Sequence, residues 1–248
     1  MFDPSALPIR EIRSELIKEG LDCTVCVILP YGVNPISEDP SDRRRAAEHL
    51  TRCVQASSDL GASVVGGPLF APNGFIPPLR PTQSQWLWAV EAFQKLIEKL
   101  AQYNITLAIE PVNRSETSFL RTASEAKKLC EAIGDPRIGV TLDTFHANIE
   151  ESNIPRAIRL LGKHLKHVHM SENDRGPLGR GHVPFSEIIS ALRNIGYRGY
   201  LMIEGFGYNH DQTSAPGWLW ASTDVTPEVL VEESTQYLKG ILADCSTQ

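Results

Sequence analysis

Six apolar, strand-like runs, each followed by a helical pattern, predict an α/β fold: a parallel sheet curled into a TIM-type (β/α)8 barrel. Four of these runs end on residues that can ligate a metal: Glu110, Asp143, His169 and Glu204. In such barrels the C-terminal rim of the sheet is where chemistry gathers. A shortfall completes the prediction. Eight strands close the usual barrel, yet the first predicted element here is a helix, so the first two strands and the first helix have no counterpart. No linker is long enough to divide the chain, and residues 1–248 read as one barrel domain.

The elements follow in order. Residues 4–19 read as a helix, with Ile9, Ile12, Leu16 and Ile17 at helical spacing and Gly20 as its stop. Cys23 to Leu29 reads as a buried strand, and a loop with Pro30, Pro35 and Pro40 leads to a helix over 41–60. Ala62 to Gly67 is the next strand, running into a loop, Pro68 to Pro81, rich in proline. One long helix is expected over 83–103, then a strand from Thr106 to Glu110. Thr122-Ala123-Ser124-Glu125 is a capping-box pattern that opens a helix. Ile138 to Leu142 is the strand that delivers Asp143, with His146 on the loop or first helical turn beyond. A short helix over 154–161, a strand from Leu165 to His169, and a helix from Pro184 to Ile195 come next. The last strand runs from Tyr200 to Glu204, and Thr226-Pro227 opens the closing helix.

Composition excludes several classes. A net charge of −6 and the lack of a basic run longer than Arg43-Arg44-Arg45 argue against a nucleic-acid partner. No apolar run reaches membrane-spanning length, so no membrane partner is expected. Five cysteines at irregular spacing suggest reduced thiols and a cytoplasmic location. Cys23 and Cys26 lie in a strand-like run, where positions three apart point to opposite faces, so they read as two packed thiols.

Alternation within the strands places Glu110, Asp143, His169 and Glu204 toward the barrel axis, with Ala108, Thr141, His167 and Met202 a layer lower. Three carboxylates and an imidazole at one depth repel one another without a cation. With a divalent ion they form an oxygen-and-nitrogen shell suited to Mn²⁺, Mg²⁺ or Co²⁺. His167 reads as a hydrogen-bonded core residue below that layer, and His164 and His182 as surface or loop residues.

The segments 110–116 (Glu-Pro-Val-Asn-Arg-Ser-Glu), 142–151, 167–175, 179–185 and 202–204 together resemble the ketose 3-epimerases, the family of D-tagatose and D-psicose 3-epimerases. The resemblance implies a barrel of the xylose-isomerase-like kind that epimerises carbon 3 of a free ketose. It implies one divalent metal, Mn²⁺ foremost, held by Glu110, Asp143, His169 and Glu204. Glu110 and Glu204 also match the family's two acid/base residues, and Glu116, His146 and Arg175 match those that hold the sugar near oxygens 1 and 2. A small-molecule sugar substrate and a homodimer or homotetramer are implied as well.

Rival readings share the scaffold. Another sugar isomerase or an inosose dehydratase would use the same enediolate chemistry on a different substrate. A truncated paralogue without turnover is suggested by the missing front, and an open six-stranded barrel would leave two sheet edges exposed. A DNA-repair endonuclease would need a histidine where the strand at 62–67 ends in glycines.

Overall fold

The computed structural model describes residues 3–72, 74–75, 80–205 and 225–244. Six parallel strands form one sheet in chain order: β1 (Thr24–Cys26), β2 (Val64–Gly67), β3 (Thr106–Ile109), β4 (Ile138–Asp143), β5 (Leu165–Met170) and β6 (Leu201–Ile203). Every neighbouring pair is parallel, which requires a crossover between strands. The crossovers are helical: α1 (Ile9–Glu19) precedes the sheet, and α2 (Pro40–Leu60), α3 (Gln83–Gln94), α4 (Ile97–Tyr103) and α5 (Ala123–Ile133) follow in turn. Then come α6 (Thr144–Glu150), α7 (Ile154–Leu161), α8 (Phe185–Asn194) and α9 (Pro227–Asp244). The result is a curled, TIM-like half-barrel.

Local chemistry accounts for most boundaries. Thr122 and Glu125 form the reciprocal capping box at the start of α5, and Gly134 ends the helix with φ 81°. β4 is buried at every position, as a strand covered on both faces should be. Phe70, Phe93 and Phe185 are each fully buried in the hydrophobic core. Burying one such side chain contributes about 1.5–3 kcal/mol.

Three expectations are corrected in detail. The helix expected over 4–19 divides, because Pro8 holds Leu7 in extended backbone; a 3₁₀ turn, Pro4–Ala6, precedes α1. The helix expected over 83–103 breaks after Gln94, where the Leu96 N–H reaches Phe93, three residues back, and tightens the turn. Finally, Cys23 is half-buried and Cys26 is exposed, so only Cys53 and Cys130 are fully packed among the described cysteines. Cys26 lies on a terminal strand that has a neighbour on one side only, among the described residues. Positions 73 and 76–79 of the proline-rich loop, and Cys245, lie outside the described residues.

The two terminal strands approach each other at the end of the barrel remote from Asp143. Tyr200 donates its hydroxyl to Asp22 at 3.0 Å, and the His167 ring lies 3.2 Å from the Thr24 hydroxyl. Two glycines allow the close packing of β1, β2 and β4. A Cβ on Gly67 would sit 2.2 Å from the Val27 carbonyl oxygen, and one on Gly66 would sit 2.9 Å from the Thr141 hydroxyl. This is why β2 ends in glycine where other strands carry a ligand-type side chain.

His49 on α2 is buried, and its Nε2 has no hydrogen-bond partner among the described residues. Burial, with Arg52 alongside, holds its pKa below the ordinary value. The unfolded chain therefore takes up this proton more readily, and stability is lost as pH falls below about 6.5. His49→Leu is expected to raise the melting temperature, by more at pH 5 than at pH 7.5. An equal or smaller gain at pH 5 would refute this.

Candidate active site

Glu110, Asp143, His169 and Glu204 come together at the C-terminal end of the sheet. Each offers one ligand atom, and these atoms all lie within 4.8 Å of one another. Glu110 is the first residue beyond β3, Asp143 ends β4, and His169 sits directly opposite Asp143 on β5. Glu204 follows β6, where its N–H donates to the Met170 carbonyl at 3.0 Å. His169 Nδ1 is 3.2 Å from Glu110 Oε1 and 3.1 Å from Glu204 Oε2, so two carboxylates meet at one ring nitrogen.

The layer below is closed as expected at three positions: Ala108, Thr141 and His167 are buried, and Thr141 donates to the Ala108 carbonyl at 3.1 Å. Met202, the fourth, is exposed, because β6 borders the opening of the half-barrel. His167 Nδ1 accepts from the Val168 N–H at 2.8 Å, leaving Nε2 to donate to Thr24. Burial first, and then His169 beside it, pushes the His167 pKa down to about 4, so it is a neutral core residue.

Arg175 binds the cluster from one side. Its guanidinium donates to Asp143 at 2.7 Å, to Glu204 at 3.0 Å and to the Ser171 hydroxyl at 2.6 Å, and it stacks over the Phe145 ring at 4.1 Å. Its backbone adopts φ 62°, a left-handed conformation uncommon for a bulky residue. Such strain persists only where the surroundings impose it. Glu172 supplies the restraint: fully buried, it accepts from the backbone N–H groups of Asn173, Gly179 and Val183 at 3.1, 3.0 and 2.9 Å. Its own carbonyl accepts from the Arg175 N–H at 3.1 Å.

His146 lies on α6, which begins directly after Asp143, whose side chain caps it by accepting from the Phe145 N–H at 2.8 Å. His146 Nε2 is 3.6 Å from Asp143 Oδ2 and 3.3 Å from Arg175 Nη2. Glu116 approaches on the other side of the ring, 3.8 Å from Nδ1. All seven residues singled out from sequence therefore meet in one region. Missing from that set were Asn113, which touches both Glu116 and His146, and Ser171 and Glu172, which hold Arg175. Their neighbourhood in the sequence is rich in polar residues, and no spacing rule separates a buried brace from a solvated side chain.

Electrostatics define what the arrangement can hold. Burial would depress His169, but Glu110 and Glu204 outweigh it and hold its pKa well above the usual range. Burial would raise Glu204, but the hydrogen bond and charge of His169, with Arg175, hold it well below. Burial also pushes Asp143 up to about 6 against the pull of Arg175, and pushes His146 down to about 4 despite Asp143. Three carboxylates face one guanidinium and one imidazole, so the cluster keeps a surplus of negative charge even with that imidazole protonated. Hard oxygen donors plus one imidazole fit a divalent cation.

Fold and site together define a TIM-type barrel protein with a candidate metal centre at its rim, and comparisons with known proteins narrow it. The model of a family described as xylose isomerase-like TIM barrel matches residues 1–240. The L-ribulose 3-epimerase of Mesorhizobium japonicum is 34% identical over 205 residues, covering 83% of this chain and 69% of that protein. A solved L-ribulose 3-epimerase superposes with TM-score 0.91 at 29% identity, covering 100% of this chain and 84% of the other. The D-allulose 3-epimerase from Methylomonas sp., in complex with D-allulose, superposes with TM-score 0.89 at 26% identity, covering 97% and 84%. The chain belongs to the xylose isomerase-like TIM barrel family and, within it, to the ketose 3-epimerases. No described helix is long and apolar enough to cross a membrane.

Proposed function

We propose that this protein epimerises carbon 3 of a free ketose, with Glu110 and Glu204 as the two proton-transfer groups. The observation that carries the reading is the convergence of these two carboxylates, from separate strands, on one imidazole nitrogen: they lie 3.2 and 3.1 Å from His169 Nδ1. Epimerisation next to a carbonyl breaks the C3–H bond, leaves its electron pair as an enediolate across carbons 2 and 3, and returns a proton to the opposite face. Two carboxylates that would flank the carbon suit that sequence, and each would contribute about 10²–10⁴-fold.

Glu110, Asp143, His169 and Glu204 would hold a divalent cation, Mn²⁺ in the first instance. When bound, such an ion supplies positive charge beside the sugar's carbonyl oxygen, worth several kcal/mol of charge stabilisation. His146 and Arg175 add neutral and cationic donors at the rim of the cluster, where they would orient the sugar and stabilise negative charge near oxygens 1 and 2. Glu116, buried beside His146, would accept from a sugar hydroxyl. The relatives named for L-ribulose and D-allulose support a ketose of this size.

The test is an assay of purified protein with Mn²⁺ on D-fructose, D-tagatose and L-ribulose, run in D₂O. The expected product is the carbon-3 epimer carrying deuterium at that carbon. An aldose product would replace this reading with isomerisation, and loss of water from the substrate would replace it with dehydration.

A further inference from the structure

We infer that Asn113 is a positioning residue: it sets which ring nitrogen of His146 carries the proton and thereby makes His146 Nε2 a donor toward the substrate. The inference rests on the epimerase reading for its consequence, though not for its geometry. Asn113 is buried in the turn that follows β3, with an exposure of 3%. Its amide orientation is dictated by its partners. Nδ2 donates to Glu116 Oε1 at 2.7 Å, where a carboxylate can only accept, and Oδ1 accepts from the Ser115 N–H at 2.9 Å, which can only donate.

With the amide so oriented, Nδ2 presents its second hydrogen to His146 Nδ1 at 2.9 Å, and the Asn113 backbone N–H points at the same atom from 3.2 Å. Two donors converge on Nδ1, so Nδ1 is the acceptor nitrogen and a neutral ring carries its proton on Nε2. That N–H faces the cluster, 3.6 Å from Asp143 Oδ2 and 3.3 Å from Arg175 Nη2. Two donors at that separation do not satisfy each other, and they would share an acceptor brought between them, such as a sugar oxygen bearing developing charge. Asn113 also stands between Glu116 and His146 and occupies the Glu116 oxygen nearest the ring, which lies 3.8 Å from Nδ1. Without it, Glu116 is the acceptor closest to Nδ1 and would favour the opposite tautomer.

The test is nitrogen NMR of the histidine rings in protein loaded with Mg²⁺, which is diamagnetic, together with kinetics of Asn113→Asp and Asn113→Ala. In the wild type His146 is expected as the Nε2–H tautomer. Asn113→Asp replaces a donor with an acceptor, so Nδ1 becomes protonated and kcat falls by about 10²-fold, with Mg²⁺ affinity within about twofold of wild type. Asn113→Ala keeps the backbone donor and is expected to lose less kcat than Asn113→Asp. A wild-type ring protonated on Nδ1 overturns the inference without recourse to any variant. Equal kcat losses in the two variants with no change in the His146 spectrum also overturn it, since a purely structural role gives that result. Failure of the epimerase reading registers separately, as a wild type that turns over no ketose; the NMR result stands apart from it.

Discussion

Glu204→Gln is expected to reduce epimerisation by about 10²–10⁴-fold while leaving the fold intact. The substitution preserves shape and one oxygen able to ligate a metal but removes the carboxylate proposed to exchange a proton with carbon 3. Two features keep the backbone in place. The Glu204 N–H donates to Met170, and the Glu204 carbonyl accepts from the Ser171 hydroxyl at 2.6 Å, neither of which involves the side chain. Arg175 loses one charged partner at 3.0 Å but keeps Asp143 at 2.7 Å. Turnover should therefore fall far more than thermal stability or metal affinity does. Near-normal kcat in the variant would remove Glu204 from its proposed role, and a parallel loss of metal binding would reduce that role to ligation.

Metal removal is expected to have an effect of similar size. Dialysis against a chelator should abolish turnover, and Mn²⁺ should restore it, with Mg²⁺ and Co²⁺ compared alongside. Stability supplies a second readout, because the buried carboxylates of the cluster repel one another until a cation is bound. At a free ion concentration 100 times Kd, binding stabilises the folded state by about 2.7 kcal/mol. For a chain of this size that corresponds to a rise of about 5–10 °C in Tm. Full activity after exhaustive chelation would overturn the metal reading. A Tm that rises without any turnover would instead locate the fault in the substrate or the acid/base assignment.

These two experiments also divide the rival readings. A paralogue that holds a metal without catalysis would show the Tm rise and no dependence of product on Glu204. An aldose–ketose isomerase would respond to both perturbations yet deliver an aldose. The identity of the product decides between them, since the cluster of ligand atoms serves either chemistry.

Much of the fold is legible in the chain because its signals are local. The capping box at Thr122 and Glu125, the glycine stop at Gly134 and the short, mostly apolar run of β4 each act within a few residues. Alternation of strand and helix then dictates a parallel sheet in chain order, and two-residue periodicity brings Glu110, Asp143, His169 and Glu204 to one rim. Breaks such as the one after Gln94 are less legible, since no proline or glycine marks them and the tighter turn involves only one i−3 hydrogen bond. The exposure of Cys26 and Met202 likewise depends on what covers the terminal strands, which periodicity does not report.

Residue types and their spacing by themselves determined the class of fold, the order of the strands and the donor set at their tips. Tertiary structure alone decided how that set is tuned. Arg175 reaches Asp143 across 32 residues of chain, on a loop bent into a left-handed turn and tied down by Glu172. Asn113 reaches His146 across 33 residues and presents two donors to one ring nitrogen. The physical reason is that a ligand set follows from the direction in which strand residues point, which is a local property. A tautomer or a held guanidinium follows from the partners that distant loops bring within about 3 Å, which only the folded chain determines.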